Sequence, residues 1–326
     1  MRVGSSTVFC LAALVVAAVV AARPARAEDW PQRPVRIIVP FAAGGSSDVA
    51  GRIVAQRLSD AFGQQFVVEN RPGASGVLAA ETVARAPADG YTLLMGSTAQ
   101  ISVTPQMQKT PYDPVKDFAP ISIVGTNPFV LVVHPSLPVR TVAELVAYAR
   151  AQPEKLPYAS SGVGSIGHLS MELFLKRAGI EMTAVTYKGG TAQLNDVVAG
   201  HVKVTFLNLS TVAPFAASGA LRLLAVTSET RAPQIPEVPT LIESGFAGLK
   251  ILNWVSLMAP AGTPKPIVDR IAAEVARAVK EPDAVKLLAA NGIDPVGSTP
   301  EAFAALIATD IPLWAEAVRV AGLQAK

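Results

Sequence analysis

The chain has 326 residues, with 28 Lys and Arg against 25 Asp and Glu, half of its residues hydrophobic, 16% charged, and a single Cys. This composition excludes a disordered or collagenous chain and a disulfide-stapled mini-protein, and the length suits about two domains with real cores. Taken at face value, the formal charge of +3 points to nucleic acid or an anionic membrane as a partner.

Residues 1–27 read MRVGSSTVFCLAALVVAAVVAARPARA. Arg2 supplies a positive start, Val8 to Ala22 an apolar run, and Ala25-Arg26-Ala27 an A-x-A site. The run is shorter than the roughly 20 residues of a membrane span, so the segment reads as a secretory signal cleaved after Ala27, with a retained anchor as the alternative. A lipoprotein cysteine fits poorly, because bulky Phe9 precedes Cys10 and most of the apolar run follows it. Cleavage removes Arg2, Arg23 and Arg26, three of the 28 bases, and no acid, which leaves 25 bases against 25 acids. The mature chain is then neutral and thiol-free, with no disulfide, thiolate nucleophile or Cys metal ligand. The basic excess lies in the leader. No nucleic-acid partner is expected, and the mature protein is expected to be soluble and periplasmic.

After the leader, strands and helices alternate. PVRIIVPF (Pro34–Phe41) is an apolar run of strand length, as expected of a strand covered on both faces. A glycine turn follows. Ile53, Val54, Leu58, Ala61 and Phe62 then form one helical stripe stopped by Gly63. QFVVEN is a second strand, a helix is expected around Val77 to Ala86, and YTLLMG is a third strand. A second unit begins near Val130: strand FVLVVHP, a helix capped by Thr141, strand LPYASS, the glycine turn SGVGSIGH, and a helix ending at Gly179. MTAVTY, a helix at Thr191–Ala199, VKVTFLNLS and LRLLAVTS continue the alternation. Beyond a Pro-rich connector, NWVSLMAP leads into three amphipathic helices with starts near Pro264, Pro282 and Pro300. This order predicts an α/β protein with mostly parallel sheets.

Each unit carries a glycine turn between a strand and a helix: PFAAGGSSD (Pro40–Asp48) and YASSGVGSIGH (Tyr158–His168). Such turns lie beyond the carboxyl ends of the strands, where open α/β sheets bind ligands. Glycine admits a ligand close to backbone N–H groups, and a helix N-terminus adds unpaired donors and partial positive charge. Ser46, Ser47, Ser160, Ser161 and Ser165 add hydroxyls, and neither turn has a Lys or Arg, so the natural guest is an anion held by neutral donors. Ordinary turn and cap roles for the same residues are the competing reading. Asp48 opposes an anion and is expected to cap its own helix.

Enzymatic signals are few. Gly162-x-Gly164-x-x-Gly167 matches a dinucleotide fingerprint, but the following strand ends in Tyr187-Lys188, where an acid is required. There is no G-x-S-x-G, H-E-x-x-H or GK[ST] motif, and no metal or cofactor is expected. His134, His168 and His201 stand in separate segments. A dehydrogenase or hydrolase built on the Gly162–Gly167 turn remains the alternative to a binding protein.

The ordered set WPQRPVRIIVPFAAGGSSD, VVENRPGASG, DGYTLLMGS, YASSGVGSIGHL, TAVTYKGG, LAVTSE, VPTLIESG and NWVSLMAPAGTP resembles the Bug or TctC-like receptors. These are the extracytoplasmic substrate-binding proteins of tripartite tricarboxylate transporters. The resemblance spans the chain from Trp30 onward. It implies a two-lobed, type II-like periplasmic-binding-protein fold with crossovers near Ile121–Val130 and Leu249–Val255. Residues 28–125 and 252–326 would form lobe 1, and residues 126–251 lobe 2. It also implies a small carboxylate ligand, permease subunits or a sensor kinase as membrane partners, a monomer, and no enzymatic activity. By motif, the lobe 1 contacts are Phe41, Gly44, Gly45, Ser46 and Asp48, with Ser97 and Thr98 after the third strand. The lobe 2 contacts are Ser160, Ser161, Gly164, Ser165 and His168, with Gly189 and Gly190. The sequence departs from the family pattern in having Ala42 and Ala43 in place of prolines, and Gly73-Ala74-Ser75-Gly76-Val77 in place of a GAGGN-like turn. It also has no Asp at Leu207 or Lys203, which predicts weak binding of ligands that carry an amino group.

Overall fold

The computed structural model describes residues 30–152 and 154–325. The expected signal segment, with Cys10 and the cleavage site, lies outside the described residues. Among the described residues no helix is long and apolar enough to cross a membrane.

The strands are β1 (Val35–Val39), β2 (Phe66–Asn70), β3 (Thr92–Ser97), β4 (Phe118–Val133), β5 (Pro157–Ser160), β6 (Thr183–Thr186), β7 (Val204–Asn208), β8 (Arg222–Val226), β9 (Leu252–Pro260) and β10 (Asp294–Pro295). The helices are α1 (Ser46–Phe62), α2 (Val77–Ala84), α3 (Thr104–Met107), α4 (Val142–Ala151), α5 (Ile166–Ala178), α6 (Gly190–Val198), α7 (Leu209–Ala217), α8 (Lys265–Ala278), α9 (Pro282–Ala290) and α10 (Pro300–Val320). The expected α/β alternation is present. Thr141 caps α4 by accepting from the Glu144 N–H, and Gly63 and Gly179 end α1 and α5 with left-handed φ of 66° and 59°.

Strand β4 organises the molecule. Its first part, to Pro128, pairs with β9, and its last part, from Phe129, pairs with β7 and β8. One continuous strand therefore belongs to two sheets, β2-β1-β3-β9-β4 with β10, and β8-β4-β7-β5-β6. The sequence reading placed a strand only from near Val130. Pro120 and Pro128 obscured the first half, because proline cannot donate to a ladder and argues against a central strand. The ladder absorbs Pro120 through a register shift between Pro120 and Ser122. Helix α7 also escaped the reading, since Pro214 lies inside it.

Strand directions follow from the pairing. β3 and β4 each run antiparallel to β9, so β4 runs with β1, β2 and β3. β7 runs against β4, and β5 and β6 run with β7. The carboxyl ends of β1–β3 and of β5–β7 therefore point toward one another across the point where β4 changes sheets.

Both sheets are covered on both faces. On β1, Ile37 and Val39 enter a core with Leu58 and Ile271, while Ile38 joins Leu94, Trp254 and Phe303 on the other face. On β4, Leu131 and Val133 face one core of the second sheet, and Val130 and Val132 the other. Each such side chain contributes about 2 kcal/mol by burial.

Helix α10 joins the two halves. Phe303 and Ile307 pack in the first-sheet core with Trp254, whereas Trp314, Ala317 and Val318 pack in the second-sheet core with Leu169 and Phe174. One helix of the expected lobe 1 segment, residues 252–326, thus packs in both cores. At the passage Asp310 is 4% exposed. Its Oδ2 accepts from Ser102 Oγ at 2.6 Å and Trp254 Nε1 at 3.0 Å, and its Oδ1 accepts from Trp314 Nε1 at 3.1 Å. Burial pushes this carboxyl above its ordinary value, and the three donors pull against that rise.

Asp310→Ala leaves two indole N–H groups and a hydroxyl unpaired in a buried site. Each orphaned donor costs about 1–3 kcal/mol, so the melting temperature should fall by about 6 °C or more. A calorimetric Tm within about 2 °C of the wild type would contradict this role for Asp310.

Candidate functional site

The strand directions bring the expected contact residues to one boundary. Phe41, Gly44, Gly45, Ser46 and Asp48 form the β1–α1 turn, and Ser97 and Thr98 end β3. Ser160, Ser161, Gly164, Ser165 and His168 lie at the end of β5 and the start of α5, and Gly189 and Gly190 at the start of α6.

In the first turn, α1 opens at Gly45 with no side-chain cap. The N–H groups of its first turn have no helix carbonyl four residues back to bond, an arrangement suited to an anion. The turn is shaped from behind by Asp48. Oδ2 of Asp48 accepts from the Gly44 N–H at 2.9 Å and Arg52 Nε at 3.0 Å, and Oδ1 accepts from Asn70 Nδ2 at 2.8 Å. Asn70 also donates to the Phe41 carbonyl at 3.0 Å. Burial pushes the Asp48 carboxyl up, but the bonds from Arg52, Gly44 and Asn70 together hold it below its ordinary 3.8. Asp48 thus braces the turn and does not cap its own helix as expected: its backbone bond comes from the Gly44 N–H, ahead of α1, which has no side-chain cap. The Gly44 N–H is committed to it and is not a free donor.

At the end of β3, Ser97 donates its hydroxyl to Gln100 Oε1 at 2.6 Å, and the Ser97 N–H donates to the same oxygen at 3.0 Å. Gln100 Nε2 donates to the Ser75 carbonyl at 3.1 Å. Ala74 and Ser75 hold left-handed φ of 46° and 55°, a conformation that costs a residue with a Cβ. Gln100 therefore clamps a strained turn onto the end of β3. Thr98 departs from its expected role. It is fully buried, donates to the Leu252 carbonyl at 3.3 Å and accepts from the Trp254 N–H at 2.9 Å, so its hydroxyl pins β9 and is closed to a ligand.

In the second turn, Ser165 caps α5 by accepting from the His168 N–H, and the Gly164 N–H donates to His168 Nδ1 at 3.3 Å. This bond makes Nδ1 the acceptor and leaves the ring proton on Nε2. Burial pushes the His168 imidazole below its ordinary 6.5, against a smaller upward pull from Glu172, so His168 is a neutral donor. Its ring stacks on Tyr158 at 6.3 Å. Ser160 is fully buried and donates to the Gly162 carbonyl at 3.0 Å, which makes it a brace of the turn. The turns after β5 and β6 are tied together: the Tyr187 N–H donates to the Ser160 carbonyl and the Gly189 N–H to that of Ser161. Tyr187 itself, pushed up to about 12 by burial and then by Asp196, bonds Asp196 through its hydroxyl.

Two of the three glycines that match a dinucleotide fingerprint have a packing cause, whereas Gly162 meets nothing within 4 Å and is set by its φ of 143°. A Cβ on Gly164 would stand 2.8 Å from Met107 Sδ, and one on Gly167 would stand 2.9 Å from the Phe206 carbonyl. Leu207 turns into the core with Leu194 and Val197, and Lys203 precedes β7 at its far end. Neither position lines the boundary, so the expectation about amino-group ligands cannot rest on them.

Sequence reasoning missed Asn70, Gln100 and Asp310. Only Asn70 carried a local signal, as a polar residue closing the apolar strand QFVVEN. Gln100 lies in a π-helical turn (Ala99–Val103) that no hydrophobic period announces.

A profile of the family described as the tripartite tricarboxylate transporter family receptor matches residues 50–323. Protein BugT of Bordetella pertussis is 38% identical over 307 residues, covering 94% of this chain and 94% of that protein. Among solved structures, R. palustris Rpa4515 with adipate is 40% identical, with a TM-score of 0.73 over 90% of this chain and 99% of that one. A TctC solute binding protein from Polaromonas with no ligand is 29% identical, with a TM-score of 0.83 over 89% and 99% of the two chains.

Because the folded Asp48 carboxyl sits below 3.8, its stabilisation is present above that pH and is lost as pH falls through the lower folded value. Asp48→Asn should therefore destabilise the protein at pH 7 and by much less at about pH 3. Urea denaturation of both proteins at the two pH values checks this, and an equal difference at both would refute it.

Proposed function

We propose, from the premise that the chain belongs to the family of tripartite tricarboxylate transporter receptors, that it is an extracytoplasmic solute-binding protein that captures a small carboxylate between its two sheets. The observation that carries this reading is the convergence of the uncapped start of α1 and the turn before α5 on one boundary. The ligand's carboxylate accepts from the first N–H groups of α1 and from Ser46, while Ser161, the Ser165 hydroxyl, His168 Nε2 and the Gly189–Gly190 turn close from the other side. The adipate held by the Rpa4515 relative supports a dicarboxylate as the ligand class.

Lobe 1 comprises β1–β3, β9 and β4 to Pro128, and lobe 2 begins at Phe129 and ends near Ile251. Closure is a population shift: a ligand that touches both turns binds the closed form better. Moving from 1:99 to 99:1 requires about 5.5 kcal/mol of preference, which two to four hydrogen bonds to a charged group supply at about 1.5–3 kcal/mol each. The closed form delivers its ligand to membrane permease subunits. The protein acts as a monomer in the periplasm after removal of its leader, and it performs no chemical turnover.

Titration calorimetry of the mature chain with succinate, malate and adipate tests the reading, and at least one should bind. Gly45→Val should weaken that binding by about tenfold or more with little change in Tm. The site tolerates a side chain: Gly45 has φ −78°, and a Cβ there meets only the Ala42 carbonyl at 3.7 Å. Absence of binding to all three acids, or unchanged affinity in the variant, would defeat the site.

A further inference from the structure

Lys188 is the only Lys or Arg in the segments that meet at the boundary, residues 40–48, 97–98, 160–168 and 187–190. The carboxylate in these segments, Asp48, is already neutralised by Arg52. Lys188 is exposed, and among the described residues none forms an ion pair or hydrogen bond with its side chain. Asp196 of α6, bonded to the neighbouring Tyr187 hydroxyl, has its second oxygen paired with His201 Nδ1 at 2.8 Å.

The backbone around Lys188 is fixed, whereas its ammonium is not. The Tyr187 N–H donates to the Ser160 carbonyl at 2.8 Å and the Gly189 N–H to the Ser161 carbonyl at 3.2 Å. Lys188 stands between these two bonds, beside the step into the second glycine turn. The space over the turn is open: a Cβ built on Gly162, Gly189 or Gly190 would meet nothing within 4 Å. Packing leaves this room unused, in contrast to the filled surroundings of Gly164 and Gly167. Lysine carries a compact charge on a flexible four-carbon stem. With no partner to hold it, the ammonium is free to follow an anion that settles on the turn. Residues 28–326 carry 25 bases against 25 acids, so no overall positive charge draws an anion in, and attraction has to be local.

We propose that Lys188 is a specificity-determining contact whose ammonium pairs with a ligand carboxylate on the lobe 2 side. This rests on the carboxylate-receptor reading and deepens it, by assigning one carboxylate of a dicarboxylate to the neutral donors of the glycine turns and the other to a single mobile cation. Such a division favours dianions over monoanions of the same length.

The test is titration calorimetry with succinate, malate and adipate on the wild type, Lys188→Met and Lys188→Arg, in about 0.01 M and about 1 M NaCl, between which the screening length falls from about 30 Å to about 3 Å. For the acid that the wild type binds, Lys188→Met should lose about fivefold or more in affinity at low salt, and the loss should shrink to within about twofold at high salt. Lys188→Arg should recover most of the loss, because it restores the charge. The ligand-free Tm of both variants should stay within about 2 °C of the wild type, as expected of an exposed side chain without partners. A purely structural role does not produce a loss that salt removes. Wild-type binding with Lys188→Met within about twofold at low salt, with a loss of equal size at both salts, or with Lys188→Arg no better than Lys188→Met, overturns the role of Lys188 and leaves the receptor reading intact. Wild-type failure with all three acids overturns both.

Discussion

A single strand that serves two sheets is the constraint on which the rest of the molecule depends. β4 enters the first sheet beside β9 and leaves through the second beside β7 and β8. Strand polarity then propagates outward by pairing, and it leaves the carboxyl ends of β1–β3 and β5–β7 opposed. The turns at those ends begin helices, and helix starts carry unpaired donors. The meeting of two sets of helix starts at one boundary is thus a consequence of polarity in the ladder, before any side chain is considered.

Side chains then shape what polarity provides. On the lobe 1 side a buried carboxylate, Asp48, faces away from the site and sets the turn from behind, so its charge is neutralised by Arg52 and by two amide donors. On the lobe 2 side the same work is done by neutral groups: Ser165 as a cap, His168 as an acceptor for the Gly164 N–H, and Ser160 as an internal brace. Many of the polar groups nearest the boundary therefore hold turns. Backbone N–H groups of the helix starts and a few hydroxyl and imidazole groups are left over at the boundary. This division explains how the site has no lysine or arginine in either glycine turn and still suits an anion.

The two halves are held together by packing as well as by β4. α10 places Phe303 in one core and Trp314 in another, and Asp310 between them receives both indole N–H groups and the Ser102 hydroxyl. The carboxylate is buried because three donors satisfy it.

Much of this was legible in the sequence, because the signals were local. Apolar runs such as VRIIV, the stripe ending at Gly63, the cap at Thr141 and proline starts near residues 264, 282 and 300 each act within one element, and each appears where expected. The two glycine turns were legible for the same reason, and so were most of the residues that meet at the boundary. The sequence by itself determined the elements, their alternation and the chemistry of the turns, since propensity and periodicity are short-range properties. Only the tertiary structure decided which donors are spent and which remain. The burial of Thr98 against β9, the bond from Asn70 that holds Asp48 behind its turn, and the passage of α10 between two cores all depend on partners far away in the chain. No spacing records such partners, because packing alone brings them together.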